Sequence, residues 1–268
     1  MLRRFLSKQN IALLSELVRT DFKLRYQGSV LGYAWSLLRP LLMFVILYVV
    51  FVKFLKIGNG VPHYPIYLLL GIVLWNFFVE MTMQSTTAIV GRGDLIRKIR
   101  IPRWLIVFST SIAALINLGL NLVVVGVFMI ITHVPALDTL PLLIPSLVEI
   151  YIFALGVSLF LSALFVKFRD VSYVWEVFLQ AGFYITPILY PLSRITNVHL
   201  QKLIMLNPMA QAIQDIRYSI VTHSSPTIYS VFGNSWWYAI TPFVIVVVVF
   251  IIGTTYFRKE SKYFAENI

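Results

Sequence analysis

The chain has no cysteine. That excludes a disulfide framework, a thiol nucleophile and any cysteine-based metal site. Acids are scarce, with 11 Asp and Glu against 22 Lys and Arg. No two carboxylates stand at catalytic spacing and no Ser/His/Asp set is present, which argues against an enzyme site. His63, His133, His199 and His223 are isolated from one another and from acids, so no metal site is expected. The chain also lacks a Gly-x-x-x-x-Gly-Lys-Ser/Thr phosphate loop. Internal repeats, low-complexity tracts and a soluble domain are missing too.

What fills the chain is apolar. At 59% hydrophobic and 12% charged, its 268 residues are too apolar for a soluble domain. Six stretches read as membrane spans: Ser36–Val52, Ile66–Thr87, Trp104–Thr132, Leu140–Val166, Val171–Leu189 and Trp237–Phe257. Charges interrupt the apolar residues of the first thirty positions and no small-residue cleavage site follows. They do not read as a signal peptide, and the first span is expected to be retained.

The basic residues divide unequally between the two sides. With the N-terminus inside, 17 of the 22 Lys and Arg fall in inner segments. Lys53, Lys56, Arg194, Lys202 and Arg217 make up the outer remainder. Positive loops stay on the cytoplasmic side, so both termini are expected there. The same bias, with attraction to anionic membrane lipids, accounts for the net charge of +11 without nucleic acid.

Ahead of the first span, residues 9–27 read as an amphipathic interface helix. Ile11, Leu14, Val18 and Phe22 recur at helical spacing beside Leu13 and Leu17. The pattern fits either a lipid anchor or a contact surface for a cytoplasmic partner. Gly28 and Gly32 are four apart, a spacing that permits close helix approach and a dimer seam. Pro40 should bend the first span. Between the second and third spans, residues 91–103 hold five basic residues and one acid. Asp94 can cap a short helix there, with Leu95, Ile96 and Ile99 on one face. Arg97, Lys98 and Arg100 project elsewhere, and Pro102 stops the helix. The segment reads either as a topology-setting basic loop or as a helix that docks on a soluble partner.

The fifth span ends at Tyr184-Ile-Thr-Pro187-Ile-Leu-Tyr190-Pro191, where two prolines break the helix. Residues 192–235 then hold two short amphipathic pieces separated by Asn207-Pro208. They are expected to dip into or lie on the outer leaflet and to border a cavity. Glu80, Glu149 and Glu176 fall within spans, where a carboxylate is costly. Glu80, the deepest, is a candidate for a pathway; Glu176 is expected to snorkel or to pair with Lys167 or Arg169. Tyr33, Trp35, Trp175, Phe183, Tyr184 and Tyr190 are candidates to line a sugar-conducting path, since aromatic faces stack on the C–H faces of sugars. Packing against lipid or protein is the competing role for each.

Four stretches, taken in order, resemble one family. They are Asp21–Trp35, Asp94–Arg103, Phe168-Arg-Asp-Val171 with Pro187…Tyr190-Pro191, and Leu206-Asn-Pro-Met-Ala210. Together the chain is similar to the membrane subunit of type-2 ATP-binding-cassette exporters of polysaccharides and polyol phosphates. The family commonly has Asn where this chain has Asp94. The resemblance implies one all-α permease domain over residues 1–268 in a bacterial cytoplasmic membrane. It implies a homodimer above two copies of a separate ATPase, which would hold the ATP and Mg. The amphipathic helix and the Asp94–Arg103 helix would couple to that ATPase, and residues 192–235 would form gate helices. The cargo would be a lipid-linked glycan such as O-antigen, capsule or wall teichoic acid. An exporter of small amphiphiles or drugs and a non-transporting envelope-assembly scaffold are the alternatives.

Overall fold

A helix rises about 1.5 Å per residue, so roughly 20 apolar residues cross the hydrocarbon core. In the computed structural model, five helical segments reach that length: Trp35–Phe54, Tyr64–Gly91, Trp104–Ile131, Leu140–Lys167 and Trp237–Tyr263. The structure describes residues 8–26, 31–58, 60–98, 101–135, 139–233 and 235–267. Gly28, Ile99 and Arg100 lie outside the described residues, as do the side chains of Phe22 and Tyr33.

The helices are α1 (Lys8–Tyr26), α2 (Trp35–Leu47), α3 (Tyr64–Gly91), α4 (Gly93–Lys98), α5 (Trp104–Ile131) and α6 (Leu143–Lys167). They continue as α7 (Val171–Ile185), α8 (Val198–Met205), α9 (Pro208–Ile220), α10 (Ile228–Val231), α11 (Trp236–Glu260) and α12 (Phe264–Asn267). No strand occurs among the described residues, and the protein is an all-α, multi-pass membrane protein.

The fifth apolar stretch is shorter than its sequence suggests. α7 has 15 residues, roughly 22 Å, because Thr186 turns extended ahead of Pro187. A residue before proline is driven out of the helical region by the ring, so the helix stops there.

α3 is the hub. It packs on α2, α5, α6, α7 and α9, and its apolar residues are buried around most of its circumference. Small hydroxyls knit it to its neighbours: Ser85 and Thr110 of α5 share a hydrogen bond at 2.9 Å, and Ser158 of α6 donates to the Met81 carbonyl at 3.3 Å. α6 and α11 cross at Gly156 and Gly253. A Cβ on Gly253 would lie 2.1 Å from the Gly156 carbonyl oxygen, so only hydrogen fits.

Pro40 does not interrupt α2, which runs on to Leu47 and then widens to a π-helix over Tyr48–Phe54. Proline has no N–H to give to the carbonyl four residues back. That carbonyl, on Ser36, instead accepts from Asn121 Nδ2 of α5 at 3.4 Å.

The segment expected near the outer leaflet divides in two. α8 keeps an exposed face that includes Leu200 and Leu203. α9 does not lie on a surface: Met209, Ile213, Ile216 and Arg217 are all buried, and it packs on α3, α6 and α11. Its largest polar side chains reach protein partners, Arg217 donating to three backbone carbonyls and Gln214 accepting from the Tyr67 hydroxyl at 3.3 Å, which helps draw a helix this polar inside. Asn207 starts it by accepting from the Met209 N–H at 3.0 Å, with Pro208 at its first position.

A buried arginine, an aromatic helix face and a charged short helix

The α7 break exposes backbone carbonyls that no helix satisfies. Arg217 of α9 answers them. Its Nη1 donates to Pro187 O at 2.5 Å, its Nη2 to Ile188 O at 2.9 Å and its Nε to Tyr67 O at 3.0 Å. The guanidinium also lies over the Tyr67 ring, 3.5 Å from its centre, and is fully buried. One side chain thus ties the end of α7 to α3 and α9. Room for it comes from Gly71, where a Cβ would stand 2.3 Å from Nη2. The Tyr190 hydroxyl donates toward the last α7 carbonyls, Tyr184 O at 3.1 Å and Ile185 O at 3.0 Å. Tyr190 therefore secures the break, while Pro187 and Pro191 are buried beside it.

α7 itself presents an unusual face. Only Leu179 is buried along its length. Trp175 donates its indole N–H to Thr82 Oγ1 of α3 at 3.0 Å, and Gly182 lets Trp75 of α3 approach. An aromatic ladder runs outward from this contact. Phe78 stacks on Phe153, Trp175 meets Phe78 edge-on, and Phe183 bridges Trp75 and Tyr184. Beyond it Tyr173, Phe178 and Tyr184 stand exposed, Tyr173 by 72% and Tyr184 by 67%. Trp35, at the start of α2, is also exposed. Tyr173 and Phe178 escaped the sequence reading. For Tyr173 the signal was there: 173, 177, 180 and 184 repeat at helical spacing on one face, with Tyr184.

The candidate carboxylates separate. Glu80 accepts from Asn117 of α5 at 2.5 Å and from Gln84 at 3.3 Å, so it ties α3 to α5. Glu149 of α6 is buried beside Gln211 and Asp215 of α9. Glu176 is exposed, and the pairing expected with Lys167 is taken by Glu260 of α11, 3.8 Å away.

The basic loop folds as α4, with Asp94 inside its first turn rather than ahead of it. Its apolar side points inward: Ile96 is buried in the chain's own core and Leu95 is half-buried. Asp94, Arg97 and Lys98 are exposed, so the surface left for a partner is charged, not apolar. α1 closes on α5 through Leu17, with Leu14 and Val18 half-buried alongside. Arg92, just ahead of α4, pairs with Asp21 of α1. Among the described residues no group of His and acids could hold a metal.

Comparison with known proteins places this geometry. Over 262 residues the chain is 29% identical to the O-antigen export system permease protein RfbA of Myxococcus xanthus, covering 96% of this chain and 95% of the relative. It is 30% identical over 205 residues to the Klebsiella pneumoniae protein of the same description, covering 75% and 77% of the two chains. Residues 12–221 match the model of the ABC-2 type transporter family. That match takes in most of α1, the Asp21–Arg92 pair, α4 and the Arg217-held break, and the chain belongs to the ABC-2 type transporter family.

Proposed function

We propose that the chain is the permease half of an ATP-driven exporter that moves a lipid-linked polysaccharide across a bacterial cytoplasmic membrane. It works as a homodimer with both termini cytoplasmic, and a separate ATPase subunit, in two copies, binds ATP and Mg beneath it. The observation that carries this reading is the exposed aromatic face of α7. In a transporter, a helix largely unpacked within its own chain fits a role facing a second copy and a cargo. Tyr173 and Tyr184 offer ring faces suited to sugar C–H surfaces, leaving the sugar hydroxyls free to exchange partners. The relatives described as O-antigen export permeases support a polysaccharide cargo.

Coupling follows from the charged outer side of α4. Asp94, Arg97 and Lys98 would meet the ATPase, a role their exposure supports, and the Asp21–Arg92 pair would carry their displacement into α1 and α5. The test is ATPase turnover in vesicles holding this permease and its ATPase, with undecaprenyl-linked glycans added singly. Stimulation and glycan translocation are expected. Stimulation by small amphiphiles alone would favour a drug-type exporter, and no stimulation by any of them would favour a scaffold.

A further inference from the structure

The basic ends of α5 and α11 meet at a place to which neither α2 nor α7 contributes a lining residue. A cavity of about 360 Å³ opens there. Arg103, Arg258 and Ser261 line its polar end, and Trp104, Phe257 and Thr254 are among the residues lining the rest. None of its lining residues is acidic. Among the described residues neither arginine has an ion-pair partner, since the two ion pairs found there are Arg92–Asp21 and Lys167–Glu260. Two guanidinium groups lining one cavity without an acid make its potential positive, which favours an anion there. The Thr254 hydroxyl is buried and has no hydrogen-bond partner, an arrangement a protein rarely leaves unmet.

We propose that this cavity is a seat for the phosphodiester headgroup of an anionic membrane phospholipid. The guanidinium groups match phosphate oxygens with charge-assisted hydrogen bonds. The Ser261 hydroxyl donates to the Arg258 carbonyl at 3.0 Å and keeps its lone pairs, so Thr254, set deeper, is the neutral donor still to be matched. The apolar remainder accepts the first carbons of an acyl chain, and Trp104 has the amphipathic ring favoured at the headgroup level. Free phosphate would leave the apolar lining uncovered. The polyprenyl-linked cargo would have to enter away from the aromatic α7 face. The lipid would bridge the start of α5 to the end of α11, two ends that no ion pair joins among the described residues.

The inference goes beyond the export reading, and its test needs neither ATPase nor cargo. Purified permease would be titrated in detergent with phosphatidylglycerol, phosphatidylcholine, undecaprenyl pyrophosphate or inorganic phosphate, and bound species counted by native mass spectrometry. Phosphatidylglycerol is expected to bind ahead of the other three. Arg258 is exposed, so Arg258→Gln should leave the fold intact yet weaken that lipid about tenfold, the scale of one charge-assisted hydrogen bond. Thr254→Val, nearly the same shape, should weaken it less. Lys259→Gln, on the neighbouring residue outside the cavity, should change nothing. Equal binding of the two phospholipids, or equal behaviour of Arg258→Gln and Lys259→Gln, would overturn the proposal. So would a site filled only by undecaprenyl pyrophosphate or only by free phosphate.

Discussion

Arg92 and Asp21 are 71 residues apart in the chain and form a half-buried ion pair. Ser109 of α5 completes the contact, accepting from Arg92 Nη1 at 3.2 Å and donating to Asp21 Oδ2 at 3.1 Å. The contact joins three elements: the amphipathic helix, the basic loop and the third apolar helix. A force applied to α4 by a partner would reach α5 through this contact.

Removing either partner should therefore uncouple before it unfolds. Asp21→Asn and Arg92→Gln are each expected to lower apparent stability by about 1–3 kcal/mol, the range for a hydrogen bond to a charged group. A double-mutant cycle should show the two losses to be less than additive. Cargo-stimulated ATPase should fall further than basal ATPase in both variants. Additive losses in thermal unfolding would show that the pair contributes nothing jointly.

The short helix α4 gives a sharper discrimination. Because Ile96 is buried in the chain's own core, Ile96→Asp should reduce the yield of folded permease on its own, without any partner. Arg97→Glu with Lys98→Glu reverses the exposed charge and should leave the yield unchanged while lowering co-purification of the ATPase. Size-exclusion profiles of permease alone and of the complex separate the two outcomes. A normal profile for Ile96→Asp with loss of the complex would mean that the apolar side faces the partner after all.

Arg217 should be among the least replaceable residues of the chain. Arg217→Met leaves the Tyr67, Pro187 and Ile188 carbonyls without these donors, at about 1–3 kcal/mol for each buried acceptor. Arg217→Lys cannot reproduce the three-way fork and should recover only part of the loss. Gly71→Ala attacks the same contact from the other side by crowding Nη2. Thermal unfolding in detergent should order them, with wild type above Lys and Lys above Met. A methionine variant as stable as wild type would show that water or lipid satisfies those carbonyls.

These contacts mark where the sequence was legible and where it was not. Apolar run length placed the long helices, because a bilayer demands about 20 apolar residues whatever the tertiary contacts. The α7 break was legible from Pro187, since the ring acts locally. Arg217 was not. Sequence placed it only among the few outer charges, and only tertiary structure brings the orphan carbonyls to it. The inward face of α4 was hidden for a related reason: periodicity shows that Leu95 and Ile96 share a side but not which neighbour covers it. Glu80 was read from its depth alone, and the asparagine that holds it lies 37 residues away.

Tyr184 and Tyr190 sit six residues apart and should answer differently to substitution. Tyr190 donates its hydroxyl to the α7 carbonyls, so Tyr190→Phe should lower thermal stability by about 1 kcal/mol and leave export per folded molecule near normal. The Tyr184 side chain is exposed on the aromatic face, so Tyr184→Ala, and Tyr173→Ala with it, should spare stability. Both should lower export, because ring surface for the sugar is lost while the helix stays. Trp237 is exposed on α11, away from that face, and Trp237→Ala should be milder in export. The readout is polymer moved per folded permease in vesicles, with melting curves taken on the same preparations. If all four variants lose export equally, or if Tyr173→Ala and Tyr184→Ala lose none, the path does not run along α7.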